Sequence, residues 1–498
     1  MSGVRVTYSG LISFGINLIS IATGLIFTVI VTRQLSQDEF GLWGLIGVFT
    51  GYMLVIEPII SYWASREIAR GNNSGKTAFL SSGLFSFISI PFYIVIAYFF
   101  GDGIGINFEI LFFAAILIPV RFFRHVLSAI NLGHAPQITA YSLLVSEIIK
   151  VILAIIIIYF FEMGLFGVII TIFIATIGGL VYSTIRSKEK LRGKFDKEFV
   201  KKWLKLFWLP TFPQISKLIL SSDVVIFTII IGSIGEVAYW FVAMTIAAIV
   251  LHSTNISKAI YTKMLQGGKK VHFEQNFERV LYFLFPLTAM AIIFAKPGLF
   301  TLNPNYEIAT QIVIFLSIAM FFQALSKVFF QSLLGIEKVD SNSKSTFKDY
   351  IKSRLVFIPT LRMIQRGSYL TSLAVMLIIL NPIVNEKIDL IVYWSILFIA
   401  VHLLPTLYAY KLIKKEFKPK LNFLTIMKYF STSIVAFGTT FIIMEEYLEY
   451  KENIFEFIPG FIPFVVLSII MYLGITILID KKTRKLANSI LLELKKNK

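Results

Sequence analysis

Few ionisable or amide side chains interrupt the long apolar stretches of this 498-residue chain. Glu57 stands immediately before Pro58. Glu147 and Lys150 are three apart, so a helix puts them on one face. Lys217 and Asp223 share one stretch. Lys327 has Gln323 and Gln331 four residues to either side, which makes a single polar stripe. Ser13, Asn17, Ser20, Gly24 and Thr28 trace another, with Arg33 at its end. Such groups are costly in hydrocarbon and usually face a cavity. Their chemistry follows from type. Guanidinium and ammonium groups hold phosphate oxygens, Arg in a bidentate fork. Asp223, Glu57 and the Glu147–Lys150 pair are the places for ion coupling or gating.

Each has a plainer alternative. Glu147 and Lys150 neutralise each other; Lys217 and Lys327 snorkel to an interface; the small-residue stripe packs helices; Arg33 and Arg66 are loop charges. Other chemistries are poorly served. There is no cysteine, hence no disulfide, thiolate or Cys-based metal site. The histidines, 125, 134, 252, 272 and 402, form no H-x-x-x-H pair, so no zinc site is expected. Gly71-Asn72-Asn73-Ser74-Gly75-Lys76-Thr77 imitates a phosphate-binding loop, but three residues rather than four separate its glycines and no strand precedes it. No nucleotide or other cofactor is expected, so energy would come from an ion gradient, with H+ or Na+ as the coupling ion, from the membrane potential or from downhill substrate flow.

The elements that position these residues are membrane helices. The chain is 56% hydrophobic and 15% charged, with mean hydropathy +0.78; soluble domains carry about 25% charged residues. A ruler of about 20 apolar residues per helix gives fourteen spans: 9–32, 40–63, 78–100, 108–130, 140–161, 164–185, 206–231, 236–257, 277–299, 308–333, 368–385, 388–410, 423–444 and 457–479. Tyr8–Val31 has the length of a full span and ends without a small-residue cleavage site, so it reads as the first helix and not a signal peptide.

The net charge of +18 would suggest nucleic acid in a soluble protein. Here basic residues gather in alternate loops and set topology. One side receives Arg66, Arg70 and Lys76, then Arg121 and Arg124, a block over 186–205, Lys258–Lys270, 338–366, 411–420 and the tail. The other receives Arg33, Lys296, Lys387 and Lys451. Both termini are therefore expected in the cytoplasm, in a multi-pass cell-membrane protein without a nucleic-acid partner. Two inner segments are amphipathic, Phe195/Phe199/Trp203 amid lysines and Phe347–Leu355, and fit helices lying on an anionic leaflet.

Phe27-Thr28-Val29-Ile30 ahead of Leu35-Ser36 and Asp38-Glu39 has a counterpart in Phe227-Thr228-Ile229-Ile230 ahead of Ile234-Gly235 and Glu236. This suggests two six-helix units in parallel repeat. Val31-Thr32-Arg33-Gln34-Leu35 through Phe40-Gly41-Leu42-Trp43 resembles the "TR-x-L-x-x-x-x-(Y/F)-G" signature of polysaccharide-biosynthesis flippases, the Wzx-like members of the MOP exporter superfamily. Arg66-Glu67-Ile68-Ala69-Arg70 and Asp223 with Gly235–Tyr239 are similar to that family too. The resemblance implies an all-α fold of about 14 transmembrane helices: bundles at 1–205 and 206–420, an extra helix pair at 421–480 and a basic tail at 481–498. The inner loop 335–367 is longer than that family's.

The implied activity is flipping of a polyprenyl-(di)phosphate-linked oligosaccharide to the outer leaflet by alternating access, by a monomer among membrane lipids. Arg33, Arg66, Asn17, Lys217, Gln323, Lys327 and Gln331 would line the cavity. A drug/cation antiporter or a peptidoglycan-precursor flippase of the same superfamily are alternatives. A membrane glycosyltransferase or polymerase is disfavoured by the short outer loops.

Overall fold

The structure, a computed structural model, describes residues 6–104, 108–257, 270–337, 339, 346–481, 483 and 484. Secondary structure among them is helical. The chain divides into two compact units, Met1–Ala238 with Leu370–Ile378, and Tyr239–Tyr369 with Ile379–Lys498. Among the described residues thirteen helices are long and apolar enough to cross a membrane, and each overlaps one of the expected spans. The remaining expected span, 9–32, lies within the 29-residue helix α1. The protein is an all-α polytopic membrane protein.

In the first unit the helices run α1 Val6–Gln34, α2 Gln37–Met53, α3 Pro58–Ala69, α4 Gly75–Ile104, α5 Phe108–Ala114, α6 Leu117–His134, α7 Pro136–Leu153 (extended by a π turn, Ala154–Phe160), α8 Gly164–Arg186, α9 Lys188–Leu191, α10 Lys197–Lys205 and α11 Trp208–Ile231. α12, Gly235–Ala247, follows. The loops alternate between two ends, as the charge pattern requires. At one end Ser36 caps α2 in a reciprocal box with Glu39, whose other oxygen accepts from the Leu165 amide at 3.2 Å. There Gly41 lies against the Ile234 carbonyl. At the other end Asn131 joins Ser183 and Ser187, and Gly133 lies against Ser65.

The same end explains the false phosphate loop. Gly75 abuts the Lys190 carbonyl, Asn73 packs on Gly193, and Thr77 Oγ1 accepts from the Asp196 amide. The segment anchors the connector between α8 and α11. α10 in that connector was expected to lay its aromatic face on lipid. Instead Trp203 is 1% exposed and packs with Ile60, Trp63, Ile68, Ala78, Val126 and Ile130, with Phe199 stacked on it. Protein, not bilayer, takes the apolar face because the ends of α3, α4 and α6 present a complementary one.

Glu67, 1% exposed, completes this brace. It pairs with Lys202 at 2.7 Å and accepts from Asn72 at 2.5 Å. Burial alone would raise its carboxyl. The hydrogen bonds from Lys202 and Asn72, with the charges of Lys202 and Arg70, outweigh that and hold it below the ordinary carboxylate value.

The second unit continues with α13 Lys270–Ile293, α14 Ala295–Leu302, α15 Thr310–Gly335, α16 Phe347–Lys352, α17 Arg354–Leu380, α18 Lys387–Phe417, α19 Phe423–Tyr447 and α20 Ile454–Ile479. The eleventh span, expected at 368–385, starts fourteen residues earlier, because apolar Leu355–Leu361 carries the helix on. The second amphipathic segment is thereby split: only α16 stands as a separate short helix. Lys258, Lys263 and Lys269, and residues 485–498 of the basic tail, lie outside the described residues.

Proline leaves the carbonyl four residues upstream without its helical donor, and unbonded backbone is costly in hydrocarbon. Two such carbonyls are supplied by a neighbouring helix. Pro286 frees that of Tyr282, and the Tyr472 hydroxyl donates to it at 2.6 Å. Pro405 frees that of Val401, and Gln365 Nε2 donates at 2.8 Å.

Candidate functional site

α6 is continuous with the span that begins at Phe108. Arg121 and Arg124, expected in an inner loop, are inside it. Arg121 precedes the end of α6 by thirteen residues, ~20 Å at the helical rise. Its guanidinium donates to Thr50 Oγ1 of α2, and Thr50 in turn donates to the Ile46 carbonyl at 2.8 Å. Arg124, Arg121 and Lys217 of α11 all act electrostatically on His125. Arg124, His125 and Lys217 are exposed and Arg121 is half-buried. The arrangement gathers like charge from two helices of one unit at membrane depth. That is a setting for an anion with several oxygen atoms.

The other expected residues of this unit fall into distinct surroundings. The second span breaks where Glu57-Pro58 predicts a kink: α2 ends at Met53, a 3-10 turn covers Leu54–Ile56, and α3 starts at Pro58. Glu57 is 3% exposed there and accepts from Ser61 at 2.9 Å. Asp223, also buried, accepts from the Val224 amide at 2.8 Å and lies near Tyr52, whose hydroxyl donates to Ser222 at 3.0 Å. Glu147 and Lys150 form an ion pair at 2.6 Å. Thr23 donates to Glu147 at 2.7 Å, and Lys150 lies 5.2 Å from the Phe27 ring centroid, so the pair fastens α7 to α1.

Arg33 is in the last turn of α1, half-buried. Arg66 lies over the Tyr62 ring at 4.1 Å, on the end of α3 and away from the α6–α11 cluster in sequence and in its contacts. The side chains of Ser13 and Asn17 lie outside the described residues.

In the second unit Lys327 donates to Thr254 at 3.0 Å. Gln323 has a water-excluded Oε1 without a donor, and Gln331 is half-buried on the same helix. The longer α17 adds Arg362 and Arg366, one turn apart. Arg362 lies 5.3 Å from the Phe330 ring centroid, and Arg366 acts on His402 of α18. His402 is buried, with Nε2 unbonded and its ring against Phe398.

Sequence reasoning missed Arg121, Arg124, His125, Arg362, Arg366 and His402. The four arginines were placed in loops because alternating charge rewards that placement. Their signal was position: residues 121 and 124 already fall inside 108–130.

No protein-family model matches the sequence, and no curated protein does. Solved structures do match. A structure titled "Lipid II flippase MurJ, inward closed conformation" superposes with a TM-score of 0.63 over 94% of this chain and 98% of its own, at 15% identity. The chain shares the fold of that structure. An inward-facing MATE multidrug-resistance transporter of the MOP superfamily matches with a TM-score of 0.56 at 11% identity, over 82% of this chain and 98% of its own. A Pyrococcus furiosus MOP-superfamily transporter, described as having a binding pocket of reverse polarity, matches with a TM-score of 0.54 at 13% identity, over 83% of this chain and 95% of its own.

Proposed function

We propose that the protein is a transporter, not an enzyme, that moves a polyprenyl-(di)phosphate-linked oligosaccharide across the cell membrane by alternating access. The observation that carries this reading is the Arg121, Arg124, His125 and Lys217 cluster on α6 and α11, with Thr50 orienting Arg121. A diphosphate presents several oxygens to such a set, and the bidentate guanidinium geometry suits it. A cationic drug would be repelled by it, which weighs against a drug/cation antiporter. Both termini are placed in the cytoplasm, the protein acts as a monomer, and membrane lipids are its other partners.

A peptidoglycan-precursor flippase is the second reading, favoured by the near end-to-end likeness to MurJ. Deleting the gene separates the two. Accumulation of a complete lipid-linked glycan on the cytoplasmic side, with loss of a surface glycan and an intact cell wall, supports the first. Lysis with accumulated peptidoglycan precursor supports the second. A truncated glycan would point to a glycosyltransferase or polymerase, and no change in any pool would overturn the flippase reading.

A further inference from the structure

Four carboxylates are buried among the described residues of the first unit, and their surroundings differ. Glu147 is neutralised by Lys150 and bonded by Thr23. Glu67 is neutralised by Lys202 and bonded by Asn72. Asp223 accepts from a backbone amide. Glu57 has one partner, the Ser61 hydroxyl on Oε2; its Oε1 is shut from water and accepts nothing.

Leaving a bare carboxylate oxygen dry is expensive, and something positive removes the cost. The break in the second span puts that oxygen where helical order stops. Pro58 has no N–H to offer it, and the turn Leu54–Ile56 interrupts the regular ladder. Discontinuous membrane helices supply cation sites by this route.

We infer that Glu57 Oε1 binds a monovalent cation, a proton or Na+. Under the transport reading above, on which the coupling role rests, this is where the driving ion enters the cycle. The Glu147–Lys150 pair, already bonded, fastens α7 to α1, and Asp223 accepts from the Val224 amide of its own helix. The elements packed around the break bring other titratable groups: Tyr52 from α2, Tyr62, Arg66 and Glu67 from α3, Arg121, Arg124 and His125 from α6, and Lys217 and Asp223 from α11. Ion occupancy at Glu57 will therefore alter the field at the α6–α11 cations, whether or not substrate is present.

The test uses the full-length protein in nanodiscs without substrate, so it stands apart from the transport assay. Melting temperature is followed against Na+ at constant ionic strength with K+ as the balance, and infrared spectra are followed against pH. If the ion is Na+, it stabilises the wild type and leaves Glu57→Gln flat. If the ion is a proton, a carboxylic C=O band vanishes on alkalinisation in the wild type and is missing from Glu57→Gln. Glu147→Gln keeps whichever response the wild type shows. Should Glu57→Gln fail to fold, Glu57→Asp must shift the Na+ midpoint or the band position. A response that survives unchanged in the Glu57 variants, or a wild type that shows neither response, overturns the assignment.

Discussion

A Cβ on Gly41 would stand 2.3 Å from the carbonyl oxygen of Ile234. The glycine in the signature-like stretch 31–43 is thus needed for a backbone contact between helix α2 and the loop ahead of α12. Gly41→Ala should destabilise by about 1–3 kcal/mol, the usual cost of overfilling a packed site. Gly47→Ala, with open space around its Cβ, should leave the melting temperature unchanged or slightly raised. Thermal unfolding in detergent measures both, and equal behaviour of the two would contradict the contact.

Arg121 is held by Thr50. Arg121→Ala should weaken binding of a short-chain polyprenyl diphosphate about ten- to hundredfold, the worth of one charge-assisted hydrogen-bonding group. Thr50→Val should weaken it less, since the charge remains. Arg66→Ala, stacked on Tyr62, should bind as wild type. Titration calorimetry on purified protein reads all three, and loss restricted to Arg66→Ala would relocate the anion site.

Glu67 has its carboxyl lowered in the folded state. A depressed carboxylate contributes stability that is fully present above its unfolded value, about 4.3, and is lost as pH falls through the folded value. The melting temperature should therefore be flat from neutral pH down to about 5 for this group and drop below that. Glu67→Gln should flatten the acid limb. Lys202→Met, which strands a buried carboxylate, should cost more at pH 7 than Glu67→Gln does.

The first unit's ends were readable from sequence because loop charge alternates over many spans, so one misplaced helix would spoil the pattern. That same regularity hid the site. It rewarded moving Arg121 and Arg124 out of the hydrocarbon, and Arg362 and Arg366 out of α17, although a membrane helix keeps arginines that a cavity or neighbour satisfies. Lys150 was placed correctly because Glu147, one turn away, already explains it. Trp203 was misjudged for another reason: an amphipathic period shows that a face seeks apolar company, not whether lipid or protein supplies it.

Trp203→Ala should cost about 3–5 kcal/mol if its burial is worth that of other core aromatics. Local release should be visible as well. The chain has no cysteine, so Thr77→Cys gives a unique thiol beneath the connector at Asp196. Its labelling rate should rise sharply in the Trp203→Ala background. An unchanged rate would mean that Glu67–Lys202 alone keeps the connector docked.

The absence of cysteine also makes sidedness directly measurable. In intact cells a membrane-impermeant maleimide should modify Lys451→Cys and spare Lys201→Cys until the membrane is opened. The reverse pattern would invert the expected topology.

The hydrogen bond from Tyr472 to the Tyr282 carbonyl makes the last two helices something other than an optional appendage. A chain stopped before Phe423 would place a carbonyl with no donor on a lipid-facing side of α13, since Pro286 supplies no N–H. Shortening the protein to twelve helices therefore calls for a second change far from the cut. Pro286→Ala is that change: it returns the donor to the helix, and with it the freedom to lose the pair.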